Sequence, residues 1–209
     1  MSPRVRAGLV TFEGIDGSGK STVSKLVHET LEARGERVFL TAEPTRSWIG
    51  DAVRRSYVED VGPLAESFLF LADRAQHLVE IRARLRAGEI VVCDRYADST
   101  YAYQGARLEG AMPDPIGFLR RVSEPWLLAP DLAILLRIPA ELGMRRIEGR
   151  AGHVRFEDVA FLRKVVANYD RIANEKGFVV LDGEKPAEDV AARAVRAIET
   201  ALTRSRTKK

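Results

Sequence analysis

The 209 residues, 45% of them hydrophobic, suffice for one globular domain with a sizeable core and leave little room for a second. Lysine and arginine total 33 against 30 acidic residues, a net charge of +3 that is mixed along the chain rather than blocked and gives no reason to expect a nucleic-acid partner. Cys93 stands alone, which excludes an internal disulfide framework; with no apolar leader and no run near the roughly 18 residues of a membrane span, the expected location is the cytoplasm.

Residues 5–12 read as a first strand whose apolar tail, Leu9-Val10-Thr11-Phe12, suits burial on both faces. Glu13-Gly14-Ile15-Asp16-Gly17-Ser18-Gly19-Lys20-Ser21-Thr22 follows, and Gly14, Gly19, Lys20 and Ser21 match G-x-x-x-x-G-K-[ST]. Glycines there let backbone N–H groups converge on phosphate oxygens. Val23, Leu26, Val27 and Leu31 at helical spacing complete the order strand, glycine loop, helix, with Gly35 as cap. In that context Lys20 can reach the β/γ-phosphates of a nucleoside triphosphate and Ser21 can ligate magnesium.

Val38-Phe39-Leu40 is a second strand, broken by Glu43-Pro44-Thr45 at the sheet's carboxyl edge. Glu43 and Arg46 there fit either the border of a ligand site or a plain turn. Gly62-Pro63 opens a long helix to about residue 86, ended by Gly88, with Leu64, Phe68, Leu71, Ala75 and Leu78 as its expected buried stripe. Phe70, Arg74 and His77 lie on a separate face; packing or solvation explains them as readily as a ligand, and His77 by itself reads as a surface or packing histidine.

Residues 89–93 are the third strand, and Asp94-Arg95-Tyr96 stands at its exit. The carboxylate could support magnesium and the arginine grip a phosphate, or the pair could be a capping Asp beside an exposed Arg. Ser99, Thr100, Tyr103 and Gln104 gather polar and aromatic groups suited to a base or sugar, or to a polar turn. Residues 113–126 suggest another helix, 132–138 a fourth strand and 178–181 a fifth, with Val190, Ala194, Ile198 and Leu202 on an amphipathic last helix. Between them Arg145, Arg146, Arg150 and Arg155 crowd around Gly149 and Gly152, either a loop that closes over transferring phosphoryl groups or a solvated charged face. Strands alternating with helices make this an α/β chain, and no guanine-reading N-K-x-D supports a GTPase switch.

Taken together, the glycine loop from Phe12 to Thr22, Glu43-Pro44-Thr45, Phe70-Leu71-Ala72-Asp73-Arg74-Ala75-Gln76-His77, Asp94-Arg95-Tyr96, Ser99 and Ala102-Tyr103-Gln104-Gly105 resemble the thymidylate kinase family over most of the chain. The resemblance implies a P-loop NTPase-type three-layer α/β fold, a five-stranded parallel sheet flanked by helices, in one domain over residues 1–209 with an Arg-rich lid at about 141–157. It also implies ATP- and Mg-dependent phosphorylation of dTMP to dTDP, no membrane partner, and a homodimer. ATP would be held by Gly14, Ile15, Asp16, Gly17, Ser18, Gly19, Lys20, Ser21 and Thr22. Phe70 would stack on thymine, Arg74 donate to its O4, Thr100 meet its N3 edge, and Tyr103 lie under the deoxyribose. Glu43, Ser99 and Gln104 would complete the dTMP site. Arg95 would hold the acceptor phosphate, Ser21 and Asp94 the metal, and Lys20, Arg95, Asp16 and Arg150 would carry catalysis. Some relatives have an arginine where this chain has Gly17, so its catalytic arginine would come from the lid, whose Asp-Arg-x-Glu pattern here reads Val154-Arg155-Phe156-Glu157.

Overall fold

The computed structural model describes residues 5–148 and 158–204, so Arg150, Arg155 and most of the expected lid lie outside the described residues. Five strands, β1 (Gly8–Glu13), β2 (Val38–Ala42), β3 (Ile90–Asp94), β4 (Leu132–Arg137) and β5 (Val179–Asp182), form one sheet. Their order is β2-β3-β1-β4-β5 and every pairing is parallel. The described helices are α1 (Lys20–Ala33), α2 (Trp48–Ser56), α3 (Pro63–Arg86), α4 (Ala97–Arg107), α5 (Pro115–Ser123), α6 (Ala140–Ile147), α7 (Val159–Lys176) and α8 (Ala187–Arg204).

Alternation along the strands separates two cores. Leu9, Val91 and Leu135 face a layer built on α3, α4, α5 and α7, where Ile81, Tyr101, Leu119 and Val165 are buried. Val10, Val92 and Leu136 face α1 and α8, against Val27, Leu31, Ala194 and Ile198. A fully buried side chain of this size stabilises by about 1.5–3 kcal/mol, which is why β1, buried throughout, reads as a continuous apolar run. Having β3 on one side of β1 and β4 on the other opens a crevice at the carboxyl ends of the central strands. Glu13, Ala42 and Asp94 end their strands there, so the segments that follow all enter one space.

The long helix corrects one expectation. Leu71 and Leu78 are buried, but Leu64, Phe68 and Val79 are 42%, 47% and 71% exposed, and Ala72 and Ala75 lie exposed between them. The inward face also carries Ser67, Arg74, His77 and Ile81, so His77 is buried rather than a surface residue. Arg74 and His77 lie inside because both find a buried partner in Glu43 at the sheet edge.

Candidate active site

The loop between β1 and α1 wraps the helix N-terminus. Gly19 is the N-cap of α1, left-handed at φ 90, with no side-chain cap and no acidic residue in the first turn, so the leading N–H groups stay open to an anion. Lys20, 5% exposed, folds back so that its Nζ donates to Ile15 O at 2.8 Å. Burial, then the charge of Arg95, lowers its pKa to about 8. Gly17 is left-handed at φ 78, and a Cβ there would stand 2.5 Å from Gly143 O. Helix α6, where the expected lid would begin, thus docks backbone to backbone on the phosphate loop, which an arginine side chain at position 17 would have to displace.

Ser21 Oγ donates to Asp94 Oδ2 across the end of the sheet, and Asp94 Oδ1 is buried with no hydrogen-bond partner among the described residues. A hydroxyl and a carboxylate with an unspent oxygen make a hard-oxygen set that fits magnesium, whose other ligands come from phosphate and water.

Arg95 carries the next step in a left-handed turn, φ 69, its N–H donating to Phe12 O at 2.9 Å. Its guanidinium pairs with Asp16 Oδ1, donates to Gly14 O at 3.2 Å and Ser99 Oγ at 3.3 Å, and lies 5.0 Å over the Tyr103 ring. Tyr103 OH in turn accepts from Asp16 N at 2.9 Å. The structure brings Asp16, Arg95, Ser99 and Tyr103 together here, and it adds a residue that sequence reasoning did not single out, one that holds the turn. Glu13, wholly buried, accepts from Tyr96 N at 3.0 Å, from Ser99 Oγ and from Tyr169 OH at 3.3 Å. Burial, then the nearby charge of Asp98, pushes its carboxyl up to about 8. The signal was an acidic residue ending an apolar strand; Tyr169 gave none, because α7 itself went unread.

On the other side of the crevice Phe70 is half-buried, 6.2 Å from the Tyr57 ring. Arg74 is 1% exposed: its Nη2 donates to Tyr96 O and Thr100 Oγ1, both at 2.9 Å, and lies 2.7 Å from Glu43 Oε2 in an ion pair. Glu43 therefore faces Arg74 rather than open solvent. Gln104 is turned aside to Glu66 Oε1 at 3.2 Å, and Arg46 is exposed.

A cavity of about 330 Å³ extends from residues 16–23 to Arg146, Gly183 and Lys185. Arg146 Nη1 donates to Gly17 O at 3.2 Å and Gly183 O at 2.9 Å, tying the phosphate loop to the turn after β5, whereas Arg145 is exposed. Gly183 and Lys185 were not foreseen, although Asp182-Gly183 at the carboxyl edge of the last strand was the available cue.

The family model described as thymidylate kinase matches residues 12–194. A probable thymidylate kinase of Natronomonas pharaonis is 44% identical over 201 residues, covering 94% of this chain and all of that protein. One from Methanoculleus marisnigri is 43% identical over 88% of this chain and 90% of its own, and one from Halobacterium salinarum 42% identical over 93% and 96%. A match of this length, on a parallel sheet whose carboxyl edge brings Lys20, Asp94 and Arg95 together, leaves one conclusion: the chain belongs to the thymidylate kinase family.

Proposed function

We propose that this protein transfers the γ-phosphoryl of ATP directly to dTMP, giving dTDP, by in-line displacement. The observation that supports it most is the facing of two anion sites: the open N-terminus of α1 with Lys20, and the Arg95 guanidinium bound to Gly14 O and Asp16 of the same loop. Donor and acceptor phosphates held there stand end to end, and phosphoryl transfer asks mainly for such positioning and charge neutralisation. A monophosphate is already anionic, so a cation rather than a general base is what the acceptor side requires. Ser21 and Asp94 would hold magnesium, which when bound would supply charge neutralisation for the phosphoryl groups.

The base reading rests on Arg74, which has donors only and suits the O4 acceptor of thymine while meeting the C4 amino group of cytosine as donor against donor. Phe70 supplies a stacking face, Thr100 borders the N3 edge, and Tyr103 lies under the sugar. Arg150 is the lid residue favoured for reaching the transferred phosphoryl, on the family resemblance. The α3 stripe of Leu64, Phe68, Ala72, Ala75 and Val79 supports a homodimer, because residues at that spacing left exposed on a 24-residue helix gain most by covering one another in a second copy. None of the described helices is long and apolar enough to cross a membrane, and we place the enzyme in the cytoplasm.

The test is ADP release from magnesium-ATP with dTMP, dUMP, dCMP, AMP and thymidine as acceptors. Turnover is expected to be fastest with dTMP and absent with thymidine; preference for dCMP or AMP, or no turnover at all, would overturn the reading. A second expectation concerns pH. The ammonium form of Lys20 binds the triphosphate, and with its pKa at about 8 that form dominates at pH 7 and is lost as pH rises. The Kd for ATP should therefore stay level from pH 6.5 to 7.5, then rise by roughly tenfold per unit well above 8, with proton uptake on binding. Calorimetry showing a level Kd to pH 9.5 would reject it.

A further inference from the structure

A buried chain runs from β2 through His77 and Glu43 to the proposed base reader, Arg74. Thr41 Oγ1 lies 2.8 Å from His77 Nε2, and His77 Nδ1 lies 3.0 Å from Glu43 Oε1. The other oxygen, Glu43 Oε2, is the one 2.7 Å from Arg74 Nη2. Glu43, Arg74 and His77 are all buried, so each group has only its neighbours to satisfy it. With a carboxylate on Nδ1, that nitrogen carries the proton, and Nε2 is then the acceptor of the Thr41 hydroxyl. The helix supplies the spacing, since residues 74 and 77 are one turn apart on the inward face of α3.

We infer that His77 is a positioning residue for base selection: by occupying Glu43 Oε1 it limits that carboxylate to an ion-pair contact at Arg74 Nη2 and so reserves Arg74 Nη1 for the substrate. The guanidinium shows the consequence directly. Nη2 donates to Tyr96 O and Thr100 Oγ1 and stands 2.7 Å from Glu43 Oε2 as an ion pair without a hydrogen bond, whereas Nη1 and Nε are buried with no hydrogen-bond partner among the described residues. Glu43 Oε2 already lacks a hydrogen-bond donor, so losing His77 would leave both buried carboxylate oxygens without one, and the alternative donor on the same ion pair is the unspent side of the arginine. Arginine and carboxylate readily close into a two-bond fork, which would consume the donor that the base needs. The ring of His77 prevents that closure by being the better-placed donor, and Thr41 prevents the ring from turning. This reading rests on Arg74 facing the thymine edge, as proposed above.

The experiment uses the full-length enzyme and steady-state kinetics with dTMP, dCMP and magnesium-ATP. His77→Leu removes both ring nitrogens and is expected to raise the KM for dTMP by roughly 10- to 100-fold, the effect of one charged hydrogen bond, with the KM for ATP changed little. The preference for dTMP over dCMP should fall with it. His77→Asn places an amide N–H where Nδ1 stood and should restore most of both; His77→Gln places its amide nearer Thr41 and should not. Thr41→Val should shift the same two quantities in the same direction by a smaller factor, and carries the test if the Leu variant does not fold. Wild-type values for dTMP KM and base preference in a folded His77→Leu enzyme would overturn the inference, as would equal losses in the Asn and Leu variants or parallel rises in both KM values. A wild-type enzyme that ignores dTMP would instead sink the reading of the site itself, so the two failures are told apart.

Discussion

Replacing Lys20 with methionine should lower kcat by about 10²–10³-fold for every monophosphate acceptor while leaving the fold intact. In the proposed transfer the ammonium acts on charge that develops between donor and acceptor, and nothing else in the phosphate loop carries a full positive charge. Its removal is cheap for the fold. Lys20 is buried, and with a pKa lowered from 10.5 to about 8 the charged form is the one the folded state disfavours. By linkage, that penalty is absent above pH 10.5, where the unfolded chain is also neutral, and is fully present below pH 8. Methionine keeps the stem volume without the charge, so the Tm at pH 7 should not drop. Measured together, kcat and Tm separate a catalytic loss from an unfolded one; undiminished turnover would remove the phosphate loop from the mechanism.

How much of this could be read in the residues varies with the length scale of the cause. The phosphate loop was legible because its demands are local: Gly17 and Gly19 need left-handed backbone, and Lys20 and Ser21 sit one and two residues beyond Gly19 whatever the rest of the chain does. The β-strands were legible for a similar reason, since burial on both faces leaves unbroken apolar runs. The α3 stripe was legible as a pattern and misread as wholly buried. Residues 64, 68, 71, 75 and 78 repeat at helical spacing, but periodicity does not say what a face meets: Leu71 and Leu78 are buried while Leu64, Phe68 and Ala75 are exposed. What put Arg74 and His77 inside was Glu43, 31 and 34 positions earlier in sequence and on a different element. The roles of Glu13, Arg146 and Tyr169 stayed hidden for the same reason. Their partners lie 83 to 156 positions away for Glu13, 70 and 156 for Tyr169, and 129 and 37 for Arg146, and only the sheet order brings those together.

Arg95→Asn should cost the most on the acceptor side, with kcat/KM for dTMP falling by roughly 10²–10⁴-fold, the effect of leaving one member of a largely desolvated charge pair without its partner. Asparagine is the informative choice because position 95 is left-handed, φ 69, a conformation that a β-branched or bulky residue pays for and asparagine tolerates. The turn itself is held by Glu13 through Tyr96 N and by the backbone bond from Arg95 N to Phe12 O, neither of which involves the guanidinium. The variant therefore separates the side chain's charge from the geometry of the turn. Because Arg95 also pairs with Asp16 and donates to Gly14 O, the KM for ATP should move, but by a smaller factor than that for dTMP. Added guanidinium should recover part of the lost rate, since the cavity it vacates is lined by the same acceptors. An Arg95→Asn enzyme with an unchanged KM for dTMP and a raised KM for ATP would reassign this arginine to the donor triphosphate and leave the acceptor phosphate without its anchor.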